Sequence, residues 1–318
     1  MQHIPAPNAV TGSAADDALV RLAQAVRSTG YSFVTPTPLT IARVNARPGA
    51  DWATDLRGVF GWSRPFRDGV VPPDVLALMQ DAGVLADVPG GHRSLVRLST
   101  LDGELFLHSA YPTAATDAVF FGPDTYRFAS AILAHRPASP VRRAVDIGCG
   151  AGPGGVLVAR AHPAAEVLAV DINDAALNLA RANAALARVS LRAVNSNLLL
   201  GVDGAFDMIV ANPPYLVDPS ERAYRHGGGP LGAGLSLAIL DAALDRLAHG
   251  GTLLLYTGAA VVNGTDPFRD AAATRLGGER AEWNYRELDP DVFGEELDGG
   301  AYTAADRIAA ILLTVTKQ

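Results

Sequence analysis

From residue 141 onward, short apolar runs alternate with helix-forming stretches, and this rhythm leaves few folds open to the chain. The runs Arg143-Ala-Val-Asp-Ile, Glu166-Val-Leu-Ala-Val-Asp, Val189-Ser-Leu-Arg-Ala-Val, Phe206-Asp-Met-Ile-Val-Ala-Asn and Thr252-Leu-Leu-Leu-Tyr read as strands. Among the helical stretches between them, residues 174–186, rich in alanine and leucine, are the clearest. Strands alternating with helices make βαβ units, whose parallel sheet is covered on both faces. A last run, Ile308-Ala-Ala-Ile-Leu-Leu-Thr-Val-Thr, reads as a closing strand. An α/β fold is therefore expected.

Before residue 140 the pattern is mixed. Leu19, Leu22 and Val26 recur at helical spacing over residues 14–28, with Gly30 as a stop, and Pro72-Pro73 starts a second helix over residues 72–81. The segments 94–100 and 104–110 flank Asp102-Gly103 and predict a β-hairpin. Helices followed by a hairpin suggest a small α+β, winged-helix-like unit. Residues 1–115 are thus read as an accessory, substrate-recognition domain and residues 116–318 as a catalytic domain; 318 residues suffice for both.

Composition narrows the function classes. A net charge of −7 and a pI near 5.5 lack the basic signature of a nucleic-acid binder. One cysteine, Cys149, precludes an intrachain disulfide and a cysteine-based zinc site, and the seven histidines show no metal spacing, so no metal is expected. No apolar run is long enough to span a bilayer, and the opening MQHIPAPNAV lacks a basic segment followed by an apolar one. A cytoplasmic location without membrane attachment is the expectation; oligomeric state is not legible.

Two motifs carry chemistry. Asp146-Ile-Gly-Cys-Gly-Ala-Gly ends the first strand of the sheet, where ligands of open α/β sheets bind. Gly148, Gly150 and Gly152, with the small Cys149 between them, let the backbone pass close to a ligand. Asp171 ends the next strand, where a carboxylate can accept both hydrogen bonds of a ribose diol. Gly150-Ala-Gly152-Pro-Gly154-Gly155 also fits the dinucleotide fingerprint G-x-G-x-x-G. An acid two residues ahead of the first glycine suits a cationic amino group and sulfonium, as in S-adenosylmethionine, better than a pyrophosphate. The second motif, Asn212-Pro-Pro-Tyr215, follows the fourth strand. Its prolines make a rigid turn with free carbonyls, so the Asn212 side-chain oxygen and the Pro213 carbonyl can accept both N–H bonds of a planar NH2 group. Tyr215 offers an aromatic face to a flat substrate.

Together these residues resemble the methyltransferase small-domain group of class I S-adenosylmethionine-dependent methyltransferases, specifically the HemK-like glutamine amide methyltransferases and their N6-adenine relatives. The resemblance covers roughly residues 120–256 and includes Val170-Asp171-Ile-Asn and the Gly-rich Gly228-Gly-Pro-Leu-Gly-Ala-Gly-Leu. It implies a Rossmann-like seven-stranded sheet, methionine-end contacts at Asp146, Gly148 and Gly150, ribose contact at Asp171, adenine packing by Ile172, and acceptor binding by Asn212 and Pro213. Two departures stand out. Asn195-Ser-Asn197 replaces the acidic residue that often meets adenine, leaving Asn197 to bond the adenine amino group. Phe121-Gly-Pro-Asp-Thr-Tyr126 replaces a Pro-Arg-rich substrate loop. The segment 54–66 and the tail Glu287-Leu-Asp-Pro-Asp-Val-Phe-Gly are similar to a set of bacterial methyltransferases whose substrate the similarity does not name.

The expected activity is methyl transfer to an amide or amino nitrogen. A protein glutamine leads, a small-molecule amine or amide and a nucleobase follow, and acidity disfavours the last. An NAD(P)-dependent oxidoreductase and a non-catalytic module keeping the pocket as scaffold stay open as rivals. The sole lysine, Lys317, cannot serve the Tyr-x-x-x-Lys pair of short-chain dehydrogenases. Trp52, Phe60 and Trp62, interleaved with Arg57, Arg64 and Arg67, suit packing better than base stacking, and His226 reads as a loop residue near the second motif. The Gly-rich segment from Arg225 is a candidate lid.

Overall fold

The computed structural model describes residues 14–113, 115–222 and 224–318; the opening ten residues, read above for a targeting signal, lie outside it. Four helices, α1 (Ala14–Ser28), α2 (Pro38–Asn45), α3 (Leu56–Phe60) and α4 (Pro73–Asp81), precede two hairpins. In these, β1 (Leu85–Val88) pairs with β2 (Gly91–Ser94), and β3 (Val96–Leu101) with β4 (Glu104–Ser109). The second hairpin turns at Asp102-Gly103, both with positive φ, as the tight-turn chemistry requires.

Next come α5 (Pro123–Ala134), β5 (Arg143–Ile147), α6 (Pro153–Ala161), β6 (Glu166–Asp171), α7 (Asp174–Ala187), β7 (Arg192–Asn195) and β8 (Phe206–Ala211). The chain continues through α8 (Gly234–Arg246), β9 (Leu247–Val261), α9 (Pro267–Leu276), β10 (Ala281–Asp289) and β11 (Arg307–Lys317). A seven-stranded sheet runs in the order β10-β11-β9-β8-β5-β6-β7; the last five strands of that order are parallel, and β11 is antiparallel to both its neighbours. The Rossmann-like sheet expected from the resemblance is present.

Its strands alternate between two cores. Met208, Val210, Leu254 and Tyr256 pack with Phe128 of α5 and Val156 and Leu157 of α6. Ile209, Ala211, Leu253 and Leu255 pack with Ile239 and Leu240 of α8 and Phe268 of α9. A third core joins Leu19, Leu22, Val26, Leu98 and Leu107 to Leu179 and Leu186 of α7, so the N-terminal layer is seated on a helix of the sheet domain. The fully buried Asn183 of α7 makes this joint polar as well as apolar: its amide accepts from Leu107 N–H at 2.8 Å and donates to Leu107 O at 2.9 Å and Ala151 O at 2.8 Å.

The elements depart from expectation where the sequence signal is weak. Strand β10 escapes a reading by apolarity because Ala-Glu-Trp-Asn-Tyr-Arg-Glu-Leu-Asp is an edge strand whose residues are mostly exposed. Strand β9 runs ten residues beyond the Thr252–Tyr256 core, through glycines that a propensity reading treats as breaks. Strand β7 is shorter than the run at 189–194 implied. Among the described residues no helix is long and apolar enough to cross a membrane, and no group of three or more His, Cys, Asp or Glu is placed to hold a metal ion.

Candidate active site

Register decides the site. Ile147, last in β5, pairs with Val170 of β6 on one side and with Ala211, last in β8, on the other. Strands after β5 lie to one side of it and those from β8 to the other, so the crevice between β5 and β8 is the switch point at which open α/β sheets bind ligands. Gly148 and Asn212 therefore emerge side by side, and both line one cavity of about 400 Å3.

The glycine turn is held by the sheet it leaves: the Gly148 and Cys149 amides donate to Val170 O at 2.9 and 3.0 Å. Gly148, Gly150 and Gly152 all adopt left-handed φ. At Gly152 the requirement is double, since φ is +79° and an added Cβ would lie 3.0 Å from that of Ala180 on α7. Gly154 leaves room for a carboxyl: a Cβ there would sit 2.8 Å from Asp146 Oδ2.

Asp146 is 2 % exposed, and its Oδ2 accepts the Gly155 N–H at 2.8 Å. Burial, with the neighbouring Asp171 charge adding to it, raises its carboxyl to about 7. Asp171 accepts from Gly150 N–H through Oδ2 and from Asn173 N–H through Oδ1, both at 2.9 Å; burial raises its pKa too, against these bonds. Neither acid has a cationic side-chain partner among the described residues. A buried acid and a half-buried one without a protein cation suit a ligand that brings its own positive charge. Ile172, 61 % exposed, and the exposed Asn197 complete this end of the cavity. Cys149 lies in the turn as a buried thiol that burial keeps protonated, which removes it as a nucleophile.

The other end is the Asn212 turn. Asn212, half-buried, lines the cavity with Pro213, Pro214 and Tyr215. The Tyr215 ring is 6 % exposed and built into the wall, edge-on to Tyr256 and Phe293. A Cβ at Gly258 would come within 2.3 Å of it. Flat aromatic surface in the cavity is supplied as well by Phe120 and Tyr224, near-parallel rings with centroids 6.5 Å apart.

The segment after the turn is fastened at several points. Asp218, buried, takes Arg222 in a two-pronged pair at 2.6 and 2.8 Å, which holds its carboxyl well below the usual range. Tyr224 OH donates to Thr113 O at 2.5 Å, Arg225 pairs with Glu296, and Tyr302 OH accepts the Val217 N–H at 3.0 Å. His226 accepts the Asp218 N–H through Nδ1, a bond within the loop. The Gly-rich segment is thus part of a stapled strap. The aromatic cluster near residue 60 is packing: Phe60 is fully buried, Arg67 covers Trp52 at 4.8 Å and Arg64 covers Trp62 at 5.8 Å.

Sequence reasoning missed Asp124, Asn183, Tyr256, Phe293 and Tyr302. Asp124 and Phe293 line the cavity, with Tyr256 bonded to Asp124 behind the wall; the first two stand inside the segments 121–126 and 287–294 noted above, where no spacing marks them individually.

Residues 113–261 match the family model of the methyltransferase small domain, a slightly wider span than the resemblance drawn from motifs. The chain is similar to the release factor glutamine methyltransferase of Deinococcus radiodurans, 35 % identical over 165 residues that cover 48 % of this chain and 55 % of that protein. It is similar also to the ribosomal protein uL3 glutamine methyltransferase of Bordetella pertussis, 39 % identical over 133 residues, 37 % of this chain and 44 % of the other. Among solved structures, the 16S rRNA N2 G1207 methyltransferase of T. thermophilus, in complex with AdoMet and guanosine, superposes with a TM-score of 0.45 at 17 % identity, over 80 % of this chain and 64 % of that one. The chain spans about half the length of the curated relatives it matches. The matched span, residues 113–261, contains both turns and the parallel strands β5 to β9 that carry them.

Proposed function

We propose that this chain is an S-adenosylmethionine-dependent N-methyltransferase acting on a planar amide or amino nitrogen, with a protein glutamine side chain as the leading acceptor. The observation that carries the reading is the adjacency of Gly148 and Asn212 at the mouth of β5 and β8. A donor and an acceptor seated there are neighbours by construction, and orientation of that kind supplies much of a transfer enzyme's rate.

The donor, when bound, supplies a methyl group activated on a sulfonium. Asp146, Gly148 and Gly150 would hold its methionine end, Asp171 its ribose, and Ile172 and Asn197 its adenine, with Cys149 and Gly152 completing the turn. Asn212 and Pro213 orient the acceptor by accepting its two N–H bonds, which favours the positive charge that develops on nitrogen. Tyr215 braces that turn from behind. Acceptor choice rests on the curated relatives, two of which carry glutamine methyltransferase names. We assign residues 1–115 to acceptor recognition, because Tyr111, Pro112 and Thr113 line the cavity from that side.

The oxidoreductase alternative meets a physical obstacle. The Gly155 N–H at the start of α6, which a pyrophosphate would need, is already taken by Asp146. The test is incubation with tritiated methyl donor and bacterial lysate. Label held in protein, and freed as methylamine by acid hydrolysis of the amide, supports the reading; label in RNA only overturns the glutamine acceptor, and binding of NADH in place of S-adenosylhomocysteine overturns the methyltransferase.

A further inference from the structure

Asp124 opens α5 and lines the same cavity as Asn212 and Tyr215, yet neither motif includes it. It is 5 % exposed, and its two oxygens are not equivalent. Oδ1 accepts the Tyr256 hydroxyl at 2.6 Å and Arg127 Nη1 at 3.3 Å, whereas Oδ2 accepts from no backbone or guanidinium group among the described residues. Arg127 is anchored in turn by Asp289 at 2.7 Å, so the carboxyl is braced from α5, from β9 and from the end of β10. The buried Tyr215 hydroxyl lies against the Asp124 carboxyl and has no other partner among the described residues. A buried carboxyl on the cavity wall, ringed by two tyrosine hydroxyls and one guanidinium, is placed to meet a ligand that enters beside Asn212.

The chemistry of the proposed transfer creates a need for such a group. A planar amide nitrogen is a weak nucleophile, and a base that takes its proton as the bond to methyl forms spares the site a fully cationic amide, which the Asn212 and Pro213 oxygens only orient. We propose that Asp124 is the proton acceptor of this reaction. In step with methyl transfer the N–H bond breaks, its electron pair returning to nitrogen, and the proton passes to the Asp124 carboxylate, most directly to Oδ2, so that no full cation accumulates. Tyr256 acts as a positioning residue through its bond to Oδ1. Burial lifts the carboxyl above its usual range, opposed by Tyr256, Tyr215 and Arg127, which makes it a better base than a solvated aspartate. The groups facing it are Arg127 on its own helix, Tyr256 from β9 and Tyr215 from the turn after β8. This inference rests on the N-methyltransferase reading.

The experiment compares the unaltered chain with Asp124→Asn and Tyr256→Phe, using the lysate fraction labelled by the unaltered chain as acceptor and S-adenosylhomocysteine as binding probe. Asparagine keeps an oxygen for Tyr256, so the fold has a means of surviving. A positioned base contributes roughly 100- to 10,000-fold. Asp124→Asn should therefore slow transfer by at least about 100-fold, abolish the loss of rate at low pH, and leave S-adenosylhomocysteine affinity within a few-fold. Tyr256→Phe removes a donor that favours the carboxylate, so it should move the low-pH limb to higher pH; this variant decides the matter if Asp124→Asn does not fold. Transfer by Asp124→Asn at the unaltered rate, an unmoved limb in Tyr256→Phe, or a tenfold loss of S-adenosylhomocysteine affinity in Asp124→Asn each overturns the assignment, the last by making Asp124 a donor contact. If the unaltered chain labels nothing, the methyltransferase reading fails and Asp124 loses its role with it.

Discussion

The two ends of the cavity are built on opposite plans. At the glycine turn every acid is already bonded to backbone: Asp146 to Gly155, Asp171 to Gly150 and Asn173. These bonds join residues within a few positions or on adjacent strands, and they fix the turn before any ligand arrives. At the Asn212 turn the polar groups face the cavity: Asn212 lines it, and so does Asp124, with the Tyr215 hydroxyl against its carboxyl. Their scaffolding comes from afar, through Phe293, Tyr302 and the Asp124–Tyr256 bond. A preformed end suits a ligand that is always the same, and an open, remotely braced end suits one that the rest of the protein must specify.

The sharpest way to break this comparison is Asn212→Ala. Removing one preorganised contact to developing charge typically costs 100- to 1,000-fold in rate, about 2.7–4 kcal/mol. Transfer should fall by that much while S-adenosylhomocysteine affinity, read by calorimetry, stays within a few-fold; loss of both would mean the two ends are one structural unit. Gly258→Ala should act on the acceptor end alone, since its methyl group collides with the Tyr215 ring. A displacement of that order can slow transfer by up to about 100-fold, with donor affinity unchanged.

The mirror image is Asp171→Ala, which should weaken S-adenosylhomocysteine roughly 10- to 100-fold, the worth of hydrogen bonds to a charged group at about 1.5–3 kcal/mol. The measured rate at saturating donor should change little.

The smallest effect concerns stability and pH. In the folded chain Asp146 titrates at about 7 against an ordinary 3.8, so the native state binds this proton more tightly than the unfolded one. The stability it contributes is complete below 3.8 and is lost as pH rises through about 7. Asp146→Asn should flatten this decline in the thermal midpoint between those values, and make the ligand-free variant the more stable protein at alkaline pH. A cationic donor should restore stability to the unaltered chain most strongly at that same alkaline end. An unchanged pH slope in Asp146→Asn would show that the burial of this acid is not felt.

Legibility followed locality. The glycine turn and its acid could be read directly, because consecutive residues make the turn and the strand rhythm places it at a carboxyl end. The Asn212 turn was equally readable, since two prolines fix its backbone without help from elsewhere. The strap was visible only as glycines, because its fastening by Tyr224 and Arg225 joins loop residues to the distant Thr113 and Glu296. The edge strand β10 was invisible, since an exposed strand carries no apolar alternation to detect.

Alone, the order of residues determined a parallel sheet, a cofactor turn with two acids, and a rigid turn able to grip a flat nitrogen. Each is a short-range consequence of glycine, proline and strand periodicity. Tertiary structure decided that the two turns share one cavity, through the pairing of Ile147 with Ala211, and that Tyr256, 132 positions away, bonds Asp124 from behind its wall. Such meetings depend on strand order and helix packing, which no local spacing encodes.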